Sequence, residues 1–443
     1  MKDIATRSEA VPAMAKTSGD KQARWAWVEA SVWTERMLTA LENGVQGGKW
    51  YSLMDKVVAL PTLRKAFAHV KANRGAAGVD HVTVEQFEQR LDENLEKLSR
   101  RMREGRYQAQ AVRRVWIPKA GSKEKRPLGI PTVVDRVAQA AVLAVLEPIF
   151  ERDFAEHSYG FRPGRGCKDA LRQVDALLKQ GYCWVVDADL KSYFDTIPHA
   201  ALMERVGTKI ADGAVLELIS SFLRGKAMST AEGWTPERGT PQGAVISPLL
   251  SNIYLDPLDH EMAEGGEQMV RYADDFVVLC RSREQAEDVL RQLQQWSHQA
   301  GLRLHEEKTR IVDATQPGGF DFLGYHFAQG QKRPRVKSLR KFKDAVREHT
   351  RRTNGQSLST IILHLNRTLC GWFAYYQHSH RYTFNTLDCW VRMRLRSILR
   401  RRQGRQGRGR GWDHQRWPNA FFAEQGLFSL DRAHALARQS SSR

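Results

Sequence analysis

The segment VRYADDFVVLC, Val270 to Cys280, constrains the fold most tightly. Apolar, β-branched and aromatic residues on both sides of Ala273–Asp275 predict two strands around a turn. Carboxylates placed beside apolar strands are costly unless something pairs with them. An ordinary aspartate-rich hairpin turn would explain a lone pair of acids. It does not explain a second acid-tipped strand, in YCWVVDADL, where Asp189 stands at the strand end after Trp184, Val185 and Val186. Two strand ends carrying Asp189, Asp274 and Asp275 predict convergence on a hard cation. Mg²⁺ takes a few carboxylates, waters and substrate phosphates.

Other readings of these acids fail on spacing. In DADLKSYFDTIP, Asp187 and Asp189 match the first and third places of a calcium loop. The sixth place is Ser192 where glycine is needed and the twelfth is Pro198 where glutamate is needed. No GxxxxGK[ST] loop exists to cradle a nucleotide triphosphate. Three carboxylates can hold two Mg²⁺ ions about 4 Å apart, the arrangement used in nucleotidyl transfer. Asp187 shares a strand face with Asp189 by period two and is its nearest rival.

Strands and helices alternate along the middle of the chain, which predicts an α+β body. A formal charge of +19 over 443 residues points to a polyanionic partner, and nucleic acid leads. No apolar run reaches the ~18 residues of a membrane-spanning helix. Five scattered cysteines without CxxC spacing fit a reducing compartment with neither a zinc site nor a disulfide frame. The expected divisions are a disordered leader (1–23), a helical N-terminal extension (24–75), an α+β body (76–331), a helical unit (332–402) and a basic region (403–443). Between Arg381 and Arg416 stand eleven arginines, no lysine and two aspartates.

The motifs themselves carry a resemblance. YADD, DLKSYFD and GTPQGAVISPLLSNIYL resemble the palm motifs of reverse transcriptases, and more narrowly those of bacterial group II intron-encoded proteins. RRVWIPKAGSKEKRPLGIPTVVDRVAQ, HSYGFRPGRGC, LHEEKTRIV and FDFLGYHF match further blocks, seven in family order between Trp33 and Leu430. The resemblance implies a right-hand polymerase: fingers and palm, then an all-α thumb or maturase domain, then a small DNA-binding region. It implies primer extension with dNTPs on an RNA template, two Mg²⁺ ions, and binding of an intron RNA whose splicing and retrohoming the protein assists. Template, primer and target DNA are the further partners, and a bacterial cytoplasmic setting follows. No paired cysteines and histidines suggest an HNH nuclease, so the compact class without that domain is expected.

By the same resemblance Asp189, Asp274 and Asp275 are the metal ligands, with the Leu190 carbonyl a possible addition. Phe194 is the steric gate against a 2′-OH. Lys119 and Arg126 clamp the triphosphate, with Arg113 a weaker candidate; Lys123 and Lys125 read as a solvated turn. Gln242, between Gly239 and Gly243, meets the template–dNTP pair, the glycines letting backbone approach a nucleotide. Lys308 is the candidate general acid for pyrophosphate, and Phe322–Tyr325 the primer grip. Leu365, Leu369, Trp372 and Phe373 are expected in the thumb core. Arg392, Arg396, Arg400, Arg401, Arg402 and Arg405 are expected to face nucleic-acid phosphates. Two rivals stand beside this reading: a non-catalytic splicing cofactor, and a relative recruited to host defence or repair.

Overall fold

The computed structural model describes residues 24–118, 125–224, 238–241, 243–409 and 411–441. The expected leader therefore lies outside the described residues. Strands β1 (Arg113–Pro118) and β2 (Lys125–Ile130) form an antiparallel ribbon. Strands β3 (Trp184–Asp189), β4 (Gln268–Tyr272), β5 (Asp275–Cys280) and β6 (Arg310–Asp313) form an antiparallel sheet in the order β4-β5-β3-β6. A third sheet joins β7 (Phe320–Phe322), β8 (Tyr325–Ala328) and β9 (Gln331–Pro334). Of the LHEEKTRIV block, only Arg310 onward is strand.

Period two divides the central sheet. Val186, Ala188, Phe276, Val278 and Cys280 enter one hydrophobic cluster, while Val185, Val277 and Leu279 enter another. Both faces are covered, so β3 and β5 read as nearly continuous apolar runs. The first cluster is built with α1 (Leu60–Ala72), α2 (Leu91–Arg103) and α3 (Val133–Glu151). Helix α3 is apolar almost all round and capped by Thr132, whose hydroxyl accepts from the Asp135 N–H at 3.1 Å. A helix of that kind has to be interior. Helix α4 (Cys167–Lys179) covers the opposite face through Ala170, Leu171, Val174 and Leu177. Helices α5 (Ser247–Glu264) and α6 (Arg283–Gln299) complete the first cluster. The N-terminal helices share this core: the Trp33 indole donates to the Ala144 carbonyl at 3.1 Å.

The chain then becomes helical: α7 (Val336–His349), α8 (Leu358–Tyr376), α9 (Arg381–Arg402) and α10 (Leu430–Ser441). Leu365, Leu369, Phe384, Leu387 and Leu395 form a separate core, with Trp372 and Phe373 half-buried against it. Two expected divisions shift. The one near 332 falls inside β9, whose pairing with β8 runs to Pro334. The one near 403 divides no core, because Trp417, Phe422 and Leu430 belong to the same cluster as α7–α9. Among the described residues no helix is long and apolar enough to cross a membrane.

Candidate active site

The last residue of β3, Asp189, lies opposite Asp275, the first residue of β5. Asp274 sits between β4 and β5 in a two-residue turn after Ala273. Ala273 has φ +60°, while Asp274 is not in the left-handed region. Positive φ at the first turn position alone is the type II′ pattern, which matches strand twist but normally asks for glycine. The sheet thus brings the three expected acids to one end.

Their electrostatics reflect that crowding. Burial, then the charges of Asp274, Asp187 and Asp189, push the Asp275 carboxyl up to about 7. Asp274 is raised by burial first and by Asp189 next. Asp187 is also raised by burial, against the pull of Arg310, whose Nε lies 3.3 Å from its Oδ2. Lys308 rests on the Asp189 carboxylate. The backbone segment carrying Lys308 follows β3 outward, with His305 N–H donating to the Asp189 carbonyl at 2.7 Å and Leu304 bridged to the buried Leu190. Like charge without enough cation is chemistry suited to a hard metal. Yet among the described residues no three or more His, Cys, Asp or Glu side chains are gathered as a ligand shell.

Beneath the hairpin lies a clamp that the motifs did not reveal. Arg271 is fully buried. Its Nε donates to Asp259 Oδ1 at 2.7 Å, and one Nη donates to Asn252 Oδ1 at 3.0 Å and to the Ala273 carbonyl at 2.9 Å. Asn252 in turn donates to the Gly160 carbonyl at 2.8 Å. A Cβ on Gly160 would sit 2.2 Å from the Ala273 nitrogen, so only glycine lets that loop lie against the turn. The backbone of 157–159 completes the hold: Arg271 N–H donates to the His157 carbonyl at 3.0 Å and Tyr159 N–H to the Arg271 carbonyl at 2.8 Å. One signal was available in sequence: an arginine inside an apolar strand needs a buried acid somewhere.

Of the other expected site residues, Phe194 is half-buried, its ring 5.4 Å from that of Tyr193 and its carbonyl accepting from Thr240 N–H at 2.7 Å. Arg113 begins β1 and its buried Nε has no partner among the described residues. Lys119, Gln242 and the Arg126 side chain lie outside the described residues; the Arg126 backbone pairs with Ile117. Gly239 and Gly243 do make close approaches, but to the chain itself. A Cβ on Gly239 would meet the Asp195 carbonyl oxygen at 3.0 Å, and one on Gly243 the Gly129 carbonyl oxygen at 2.7 Å. Their close packing is protein on protein.

From Asp275 a cleft of about 1070 Å³ opens toward α7 and α8, lined also by Gly324, Arg335, Lys337, Lys341 and Tyr376. The FLGY turn is fixed there from both sides: Tyr375 Oη donates to the Leu323 carbonyl and Tyr325 Oη to the Tyr375 carbonyl, each at 2.7 Å.

The expected nucleic-acid arginines divide. Arg396 is buried, donating to the Trp417 carbonyl and to Asn419 Oδ1, both at 2.9 Å. It is a core residue, and the expectation for it is corrected. Arg400 pairs with the buried Asp413 at 2.7 Å and bonds the Gln406 carbonyl, and Arg402 bonds the Gln356 carbonyl. Arg392 is mostly covered, 3.9 Å from Asp388. Arg401 and Arg405 are exposed. The chain after 403 folds back and supplies acceptors to α9, which a helix read alone does not disclose.

Comparison with known proteins adds two family matches. The reverse transcriptase (RNA-dependent DNA polymerase) family matches residues 117–327, and the group II intron maturase-specific domain matches residues 339–417. Protein YkfC of Escherichia coli strain K12 is 32% identical over 354 residues, 71% of this chain and 88% of YkfC. The group II intron-encoded protein LtrA of Lactococcus lactis subsp. cremoris is 32% identical over 327 residues, 59% of this chain and 54% of LtrA. The chain thus spans about half of LtrA's length. A 91 kDa protein of the cob intron in Schizosaccharomyces pombe is 42% identical over 147 residues, 33% of this chain and 18% of its own.

Proposed function

The chain belongs to the group II intron reverse transcriptase and maturase family, and from that premise we propose that Asp189, Asp274 and Asp275 are the catalytic carboxylates of RNA-templated DNA synthesis. The observation that carries the assignment is their meeting at one end of the β3–β5 pair, with Asp275 lining the cleft. The hard-oxygen donors and their excess of negative charge fit Mg²⁺, with these three residues as its holders. Two bound Mg²⁺ ions would supply Lewis acidity at the primer 3′-hydroxyl and charge neutralisation at the pyrophosphate.

This chain's own groups do the rest. The clamp through Arg271 fixes the backbone that carries Asp274. Lys308, which rests on Asp189, is proposed to release that carboxylate and give a proton to the leaving pyrophosphate. Phe194 is proposed as the gate against a ribose 2′-hydroxyl. Arg113, Lys119, Arg126 and Gln242 are proposed for the incoming nucleotide. The cleft between FLGY and α7–α8 suits the primer end of a duplex. Residues 336–441 serve as thumb and maturase domain, holding the intron RNA in its splicing-competent fold and, with target DNA, in retrohoming. The test is extension of oligo(dT) on poly(rA) with Mg²⁺ and dNTPs. The Asp189→Asn protein should lose extension and keep RNA affinity; undiminished extension would remove Asp189 from the site.

A further inference from the structure

A second basic site lies on another flank of the thumb, away from the cleft. Arg347, Arg352, Arg394 and Arg408 line one cavity of about 190 Å³, together with Trp390 and Thr350. Those arginines come from three separate stretches of chain, so no single charge run discloses them. Two features build the cavity. Arg394 is anchored by its Nε on the buried Thr350 Oγ1 at 2.6 Å and by one Nη on the Thr350 carbonyl at 2.9 Å. Gly409 is docked on α9, its N–H donating to Ser397 Oγ at 3.3 Å, and a Cβ there would meet Arg396 Cβ at 2.6 Å. That docking holds the neighbouring Arg408 over the cavity.

The charges are not balanced from within. Arg347 pairs with Asp344 at 2.6 Å, and both are exposed. Asp344 and Glu348, with Arg351, line a neighbouring cavity that shares Arg347 and Arg394 with this one. Among the described residues no carboxylate forms an ion pair with Arg352, Arg394 or Arg408. Burial, then the like charges of Arg347 and Arg352, pull the Arg394 guanidinium below its usual value. Guanidinium groups crowded in this way are stabilised by a tetrahedral anion, which their planar forks bind in pairs. At ~30 Å³ per water, the space holds such an anion with part of its hydration.

We propose that this cavity is a phosphate-binding site, and that its occupant is a backbone phosphodiester of a folded RNA held while the cleft is filled. The positions support a second, simultaneous contact. Helix α7 gives Lys337 and Lys341 to the cleft but Arg347 to the cavity. Six residues at roughly 100° each place Lys341 and Arg347 about 120° apart around the helix. The inference rests on the maturase reading above but does not use the palm acids.

The test fills the cleft with an excess of a short RNA-template–DNA-primer duplex and titrates a fluorescein-labelled RNA hairpin. With Arg352→Gln/Arg408→Gln, hairpin affinity should fall about tenfold or more, and the slope of log affinity against log salt should flatten by up to about 1.8. Primer–template affinity and extension should stay at the wild-type level. The Arg352→Lys/Arg408→Lys protein should keep the salt slope. Unchanged hairpin binding in the glutamine variant would overturn the site, and so would a parallel loss of primer–template affinity. Inorganic phosphate separates the sources: displacement of the hairpin at micromolar phosphate would mean a free-phosphate site and overturn the RNA assignment. A wild-type protein that binds the hairpin but does not extend the primer would instead contradict the polymerase reading.

Discussion

Arg271 is the residue on which the Ala273–Asp274 turn depends most. Its buried pair with Asp259 also reaches the Ala273 carbonyl. Arg271→Met leaves Asp259 buried and uncompensated, and is expected to cost about 3–5 kcal/mol in urea unfolding. Arg271→Met/Asp259→Leu should recover most of that stability, because an apolar pair of similar volume replaces an ion pair at little cost. Extension should not recover, since the bond to Ala273 is still missing. Full recovery of extension would reduce Arg271 to a packing residue. Phe194→Ala is expected to raise rNTP use relative to dNTP; a folded, active variant with wild-type discrimination would make Phe194 a core aromatic. The acids were legible in sequence because strand period and apolar flanks mark them locally. Arg271–Asp259 was not, because its partner lies across a helix–strand contact that no local pattern encodes.

Helices α3 and α9 show how an element's neighbours settle what its charges do. On α3, Glu151 is held by Arg162, whose Nε lies 2.9 Å from Oε2 and whose Nη2 lies 2.8 Å from Oε1. Glu147 has no such partner among the described residues; burial first and Glu151 next push it up to about 7. A carboxyl raised in the folded state binds a proton there that the unfolded chain has released. Stability contributed by that proton is therefore lost as pH rises from about 4.5 through about 7. The loss is on the order of 3 kcal/mol. Glu147→Gln should flatten the dependence of unfolding free energy on pH in that window; an unchanged slope would place the titration elsewhere. On α9, Arg396→Ala is expected to destabilise the thumb core by roughly 2–4 kcal/mol, because its bonds to the Trp417 carbonyl and Asn419 are buried. A change confined to RNA affinity, with the melting transition unmoved, would restore Arg396 to the surface. The strands, the central hairpin and the three long thumb helices were legible from periodicity. The inward turn of Arg396 and Arg400 was not, because the acceptors come from residues 406–419 after the chain reverses.

At the scale of the whole molecule, the labour is divided between the two clusters that flank the central sheet and the separate core of α7–α10. The sheet with its flanking helices holds the acids, and the α7–α10 core holds the basic flanks, with the cleft from Asp275 to Tyr376 between them. The division near 334 was nearly legible from the end of strand patterning. The continuity across 403 was hidden, because an arginine–glycine run has no apolar face while Trp417, Phe422 and Leu430 beyond it do return to the core. If the sheet unit and the α7–α10 unit carry separate tasks, one substitution should separate polymerisation from RNA binding. The direct measurement is made on one preparation of Asp274→Asn beside wild type: single-turnover dNTP addition to a bound primer–template, and stimulation of self-splicing by a group II intron RNA. The expected result is a loss of addition by a factor of roughly 10³ or more, equivalent to at least ~4 kcal/mol of barrier, with splicing stimulation unchanged. Addition at the wild-type rate would contradict the assignment of the palm acids, and joint loss of both activities in a folded protein would contradict their separation.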